Sequence, residues 1–259
     1  TIDGEYVPGV IGNKSHHATS TDEKYKVDLV TSLCIDIGAK SKKEVIDAGI
    51  HIGCPVCYKP SFTRLQGTIV SGTTVDNRGG CTALLGLAEL LKQKRPKATV
   101  FLVGTVWEEY NLRGAILAAR RIKPDMAICF DVALSGDTPD LSGKYDIGIS
   151  KGPTVCLYNF HGRGTLNGTI AHSGLYKHAL ICAKETGIPL QEFASLGLLT
   201  DNAYVQFEGE YVACLDMGYP ARYTHSPIET CDIEDIQKLV ELTYAMVTRI
   251  DKSFQLNRF

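Results

Sequence analysis

No apolar run in the chain approaches the roughly 20 residues that a membrane helix needs. No secretory signal pattern is present, and neither an internal repeat nor a low-complexity linker interrupts the 259 residues. Charge of either sign is barely in excess. A formal net charge of -2 gives no electrostatic footing for nucleic acid or an acidic surface as partner. These absences exclude a membrane-spanning helical protein, a polybasic binder and a repeat scaffold. What remains, with 44% hydrophobic and 22% charged residues, is an ordinary globular composition with length for a substantial core.

A disulfide framework is also lacking. Nine cysteines, an odd count, are scattered along the chain. Cys34, Cys81, Cys129, Cys156, Cys182 and Cys214 lie in apolar stretches, where cysteine acts as a small hydrophobe. That usage points to a reducing, cytoplasmic setting. Cys54-Pro-Val-Cys57 has redox or metal spacing but stands as a single pair. It reads better as two strand cysteines.

Two rhythms divide the chain. Residues 1–73 read as mostly β, with short runs at Val7–Ile11, Ser32–Ile37 and Pro55–Tyr58 bounded by Gly, Pro and charge. One short helix is announced by Ser41-Lys-Lys-Glu44, a capping box, and stopped by Gly49. Asn13 to Lys26 is polar and aperiodic, a loop. From Thr74 the pattern alternates between helices and buried strands, the signature of an α/β fold. Helices are expected at Cys81–Gln93, Leu112–Arg121, Gly174–Thr186 and Asp232–Ile250. Strands are expected at Ala98–Val106, Asp125–Phe130, Pro189–Phe193 and Glu210–Asp216. The first of these is β-branched enough to be covered on both faces.

Five short segments put an acid or a histidine at the end of an expected strand or in the loop after it: Thr74-Val-Asp76-Asn-Arg78, Trp107-Glu108-Glu109, Phe130-Asp131-Val132, Thr200-Asp201-Asn202 and Tyr223-Thr-His225-Ser-Pro227. Open α/β sheets gather their chemistry there. A pair of zinc-like ions needs a bridging carboxylate, a terminal carboxylate and an imidazole per ion, and a base for the bridging water. Asp76, before the Gly79-Gly80 turn, suits the bridge. Glu108 and Glu109 are adjacent, so in extended chain one can ligate while the other faces the water. Asp131 can cap a second ion, and Pro227 pre-sets the His225 turn. His161-Gly-Arg163-Gly164 lacks the strand–loop–helix context of a phosphate loop and is substrate-side at most.

The chain resembles the glutamyl-aminopeptidase and tetrahedral-aminopeptidase family of dinuclear zinc metallopeptidases, whose members have also been labelled endoglucanase M or frv-operon proteins. The matching stretches are Val7-Pro-Gly-Val-Ile-Gly-Asn13, Ile35-Asp-Ile-Gly-Ala39, Val75-Asp-Asn-Arg-Gly79, Glu108-Glu109 through Leu112-Arg-Gly-Ala115, Phe130-Asp-Val132, Thr200-Asp201 and Arg222-Tyr-Thr-His-Ser-Pro227 with Glu229. The resemblance implies a zinc-exopeptidase-like α/β/α sandwich carrying an inserted PDZ-like β module. Residues 1–73 would be the dimerisation module and 74–259 the catalytic domain without its N-terminal part. Carried over by position, Asp76 bridges two divalent ions, zinc first with cobalt or manganese as alternatives. Glu109 and His225 hold one ion, Asp131 the other, and Glu108 is the general base. Asp201 and Arg222 are substrate-side or support the ligands. A peptide is the implied substrate and a dimer-based homo-oligomer, up to a dodecamer, the implied assembly.

One departure stands out. The family takes its remaining imidazole from an early His-x-Asp motif, which this sequence does not show. A fragment of a longer chain is the expectation, and a truncated paralogue the alternative. The reaction expected is aminopeptidase hydrolysis. Two alternatives stay open: hydrolysis of N-acyl amino acids or small amides on the same site, and a catalytically inactive assembly protein. A glycosidase is disfavoured, because glycosidases use two flanking carboxylates rather than a histidine–carboxylate metal cluster.

Overall fold

The computed structural model describes every residue except Ile2, Arg163, Arg258 and Phe259. The Arg163 position in the His161–Gly164 segment therefore lies outside the described residues. Two compact units meet in sequence between Tyr58 and Lys59.

In the first unit, β1 (Val10–Gly12) and β2 (Cys34–Asp36) pair antiparallel with Ile11 opposite Ile35. Helix α1 (Lys42–Asp47) begins at the expected cap: Ser41 Oγ accepts from the Glu44 N–H at 3.2 Å. The reciprocal arm is displaced by one residue, since Glu44 Oε2 accepts from the Lys40 N–H at 2.8 Å. Gly49, at φ 78°, turns the chain out of the helix. The strand expected at Pro55–Tyr58 does not form. Proline there has no N–H to give to a ladder.

The second unit is built on one mixed sheet of eight strands. β3 (Phe62–Arg64) pairs with β4 (Ile69–Gly72), so these two strands belong to this sheet and the unit starts before the change of period at residue 73. The other strands are β5 (Met126–Leu134), β6 (Thr154–Phe160), β7 (Gly168–Ile170), β8 (Gln191–Leu196), β9 (Ala213–Arg222) and β10 (Glu229–Asp232). The order β3-β4-β10-β9-β6-β7 is extended by β5 beside β9 and β8 beside β6. β9 is the axis. It runs parallel to β5 in the register Cys129↔Asp216 and Asp131↔Gly218.

Alternation along β9 decides which face each residue serves. Leu215, Met217 and Tyr219 point into the main core, where they meet α2 (Val75–Gln93), α4 (Ser173–Thr186) and α6 (Ile233–Thr248) through residues such as Leu87, Leu175 and Leu239. Cys214 points the other way, into a smaller cluster with Ala115 and Ala119 of α3 (Arg113–Ile122) and Val205 of α5 (Asn202–Val205). Helices thus pack on both faces. Leu239 and Leu242 are fully buried, and truncating either to alanine would cost about 2–5 kcal/mol. Among the described residues no helix is long and apolar enough to cross a membrane.

Two sequence expectations need correction. Ala98–Val106 forms no strand. Phe101, Leu102 and Val106 are exposed, and the edge of β5 away from β9 has no partner strand among the described residues. Its β-branched composition records a wish for burial that nothing in the described unit meets. Strand β5 also does not end at Asp131: apolar Val132-Ala-Leu134 continues the ladder to Ala221.

Candidate metal-binding active site

Asp76 enters the site through a distorted entry to α2. Thr74 has a left-handed backbone at φ 54°, and Asp76 and Asn77, joined by a cis peptide bond, depart from helical geometry. Three side-chain hydrogen bonds hold this stretch. The buried Tyr219 hydroxyl donates to the Val75 carbonyl at 2.7 Å, Asn77 Nδ2 donates to the Phe130 carbonyl at 2.6 Å, and Asn77 Oδ1 accepts from the Gly80 N–H at 2.8 Å. Gly79 is required by this packing. A Cβ there would come within 2.9 Å of Tyr219 Cε2, and closer still to the phenol oxygen.

Glu108 and Glu109 lie in the loop between the unpaired 98–106 segment and α3. The first turn of α3 ties that loop down: the N–H groups of Leu112, Arg113 and Gly114 donate to the carbonyls of Glu108, Trp107 and Val106 at 2.8, 3.2 and 3.0 Å. The loop is thus fixed by backbone bonds, not by a preceding strand. Asp131 sits inside β5, with Oδ1 accepting from the N–H of Val132 at 2.8 Å. His225 rides in the turn leaving the carboxyl end of β9, itself at φ 58°.

These elements bring five of the expected residues to one cleft of about 340 Å³: Asp76, Glu108, Glu109, Asp131 and His225. Within it, ligand atoms of Asp76, Glu109 and His225 all lie within 4.8 Å of one another. His225 Nε2 is 3.2 Å from Asp76 Oδ2 and 3.5 Å from Glu109 Oε2. Two carboxylates and an imidazole are a donor set that suits zinc and its first-row neighbours. Asp131 lines the cleft without joining that three-residue cluster.

The electrostatics agree with a cation-seeking site. Burial, then the Glu109 and Glu229 carboxylates, push Asp76 up to about 6, against the pull of His225. Burial and the carboxylates of Glu109, Asp201 and Asp76 push Glu108 up to about 8. Burial, with Glu108 and Asp76 adding, holds Asp131 well above the usual carboxylate range. Acids crowded this way repel one another until protons or cations neutralise them.

The remaining two expected residues, Asp201 and Arg222, do not line the cleft. Asp201 is buried: Oδ2 accepts from the Thr105 hydroxyl at 2.7 Å, and Oδ1 has no hydrogen-bond partner among the described residues. Arg222 forks onto Asp137, Nε to Oδ1 at 2.7 Å and an Nη to Oδ2 at 2.8 Å, which anchors the end of β9.

Sequence reasoning gave no role to two acids, Asp216 and Glu229. Asp216, buried on β9, accepts from Thr200 Oγ1 at 2.8 Å, Asn202 Nδ2 at 2.7 Å and Asn159 Nδ2 at 2.8 Å. Thr200 and Asn202 flank Asp201, so this network holds the Asp201 loop. Glu229 is buried at the start of β10 and accepts from the backbone of two site residues. For Asp216 the available signal was an acid inside a largely apolar strand; Glu229, in the polar strand Glu229-Thr-Cys-Asp232, offered none.

Carboxylates and an imidazole converging beside the carboxyl ends of strands in an α/β sheet form a site with the donor set for a divalent cation. Residues 1–242 match the model of the M42 glutamyl aminopeptidase family, and the chain belongs to that family. It is 38% identical over 248 residues to the putative aminopeptidase SgcX of Escherichia coli strain K12, covering 95% of this chain and 66% of that protein. In structure it is similar to the TET aminopeptidase of the marine sediment archaeon Thaumarchaeota archaeon SCGC AB-539-E09, with a TM-score of 0.88 and 27% identity over 95% of this chain and 68% of that one. The TET1 peptidase of Pyrococcus horikoshii, described as assembling into a tetrahedron or a large octahedral shell, matches with a TM-score of 0.76 and 29% identity, over 93% and 68% of the two chains. The chain therefore spans about two thirds of the length of these relatives.

Proposed function

We propose that the protein is a metal-dependent aminopeptidase that removes N-terminal residues from peptides. The observation that carries this is the convergence of Asp76, Glu109 and His225 within 4.8 Å, in a cleft also lined by Glu108 and Asp131. Asp76, Glu109 and His225 would hold one divalent ion. Asp76 and Asp131 would contribute to a second, with zinc first and cobalt or manganese as alternatives. Bound there, the metal supplies Lewis acidity and a water of lowered pKa.

The chain's own groups do the rest. Glu108 takes the proton of the attacking water and hands it to the leaving amine nitrogen. It is suited to this because it lines the cleft beside the Asp76–Glu109–His225 cluster without joining it, which leaves its carboxylate for proton transfer. The acids left uncompensated around the cleft favour a substrate presenting a free α-ammonium over one with a blocked terminus.

We read the fold as a zinc-exopeptidase-like α/β/α sandwich, residues 59–259, with residues 1–58 as a PDZ-like dimerisation module, a boundary moved from residue 73 because β3 and β4 belong to the larger sheet. A dimer-based homo-oligomer is the proposed assembly, by analogy with the P. horikoshii shell-forming peptidase. The nine free thiols favour a reducing, cytoplasmic setting.

The test is zinc content per chain together with hydrolysis of free and N-acetylated amino-acid anilides by the metal-loaded protein. Bound zinc and turnover of the free substrates alone is the expected result. Turnover of the N-acetylated set would favour the small-amide alternative. No turnover with metal bound would defeat the enzyme reading.

A further inference from the structure

Glu229 touches neither the cleft nor any candidate metal-binding atom, yet it joins the two segments that supply them. Its Oε2 accepts from the Asp76 N–H at 2.8 Å, and its Oε1 accepts from the His225 N–H at 2.8 Å. The residue is 3% exposed. Its strand lies between the strands that lead to those two residues: Glu229 pairs with Gly72 of β4, and Thr230 pairs with Arg222 of β9.

Both segments need an outside hold. Asp76 lies in the non-helical stretch of α2, and His225 has a left-handed backbone in a turn whose side chain is 71% exposed. A non-glycine residue in that backbone region is strained and persists only where surrounding structure over-determines it. A buried carboxylate with one oxygen on each N–H does that, through charge-assisted hydrogen bonds.

We infer that Glu229 is a positioning residue, a two-armed clamp that fixes the separation of Asp76 and His225 and so pre-forms the cation site. This rests on the metal-binding reading of those two side chains. Glutamine, of equal shape, has one acceptor oxygen, and its amide NH2 would face the other N–H donor against donor. Either way round, one arm opens.

The same chemistry occurs away from the cleft and supplies the control. Asp235, fully buried, accepts from the Ser150 and Gly152 N–H groups at 2.7 Å each. Its loss removes a comparable pair of hydrogen bonds without touching Asp76 or His225.

The experiment measures zinc affinity of the full chain by competition with a fluorescent chelator, in wild type, Glu229→Gln and Asp235→Asn. Groups that orient metal-binding residues cost about 10–100-fold in metal affinity when removed. Glu229→Gln should weaken zinc by that factor, while Asp235→Asn stays within about twofold of wild type and loses thermal stability instead. Equal zinc affinity in Glu229→Gln and wild type overturns the clamp. So does an equal loss in both variants, which would mark a general effect of instability. If wild type binds no zinc, the metal reading itself falls and the clamp with it. Hydrogen exchange on the metal-free wild type needs no variant: the Asp76 and His225 amides should exchange far more slowly than their loop neighbours. Fast exchange at either one overturns the inference.

Discussion

Asp216 makes a quantitative case for buried polar networks in this fold. Substitution by alanine would take the Asp216 acceptor from three buried donors, Thr200, Asn202 and Asn159, of which Asn202 Nδ2 keeps the Leu215 carbonyl at 3.2 Å. Each orphaned donor costs about 1–3 kcal/mol. Relief of the buried charge offsets part of this, since burial already raises the Asp216 carboxyl against the pull of its three donors. A net loss of about 4 kcal/mol follows, a large fraction of the roughly 5–15 kcal/mol of a whole domain. Asparagine should do better. Its one oxygen can serve the Thr200 and Asn202 pair, which both bond the same carboxylate oxygen, leaving only Asn159 facing a second donor. About 2 kcal/mol is expected. Thr200→Val removes one donor and leaves the carboxylate two, for about 1 kcal/mol. Urea unfolding followed by far-UV circular dichroism should therefore rank the losses Asp216→Ala, Asp216→Asn, Thr200→Val. Because Thr200 and Asn202 flank Asp201, activity should fall in the same order. The reasoning is refuted if Asp216→Asn is no more destabilised than Thr200→Val, or if Asp216→Ala loses under about 1 kcal/mol.

Glu108→Gln should abolish turnover while zinc content stays near wild type; retention of most activity would remove Glu108 from the role of base. Chelator should lower the melting temperature and added zinc restore it, with a gain of about 2.7 kcal/mol at a hundredfold excess over the dissociation constant. A melting temperature indifferent to zinc would count against a folded-state metal site. Tyr219→Phe deletes the hydroxyl that donates to the Val75 carbonyl at 2.7 Å. It should cost about 1–2 kcal/mol and weaken zinc binding as the Asp76 segment loosens; unchanged values in both measurements would show that the segment is held without it.

What the sequence made legible was chemistry carried by side chains in recognisable company. Asp76, Glu108, Glu109, Asp131 and His225 stand out as acids and an imidazole at breaks between apolar runs, and the cleft gathers all five. The helices α2, α4 and α6 show their periodic faces, and the ends of α2 and α4 fall where the apolar stripe stops. The start of α2 was invisible, because it depends on Tyr219 and Asn77, residues that reach it from across the sheet or from within a distorted turn.

The failures share a physical cause. Ala98–Val106 has strand composition, yet composition states only that a segment would gain from a neighbour, and here no neighbouring strand is present among the described residues. Glu229 and Asp216 fail in the opposite sense. Their partners are backbone N–H groups and neutral amides, which leave no complementary charge elsewhere in the sequence to search for. A buried carboxylate is costly unless donors are waiting for it, and in both cases donors from two separate segments converge on it. These two buried acids are therefore the ones that fasten the site's loops to the sheet. A buried acid at the start of the strand that follows a candidate histidine, as Glu229 is, is the place to look for the groups that hold a metal site in shape.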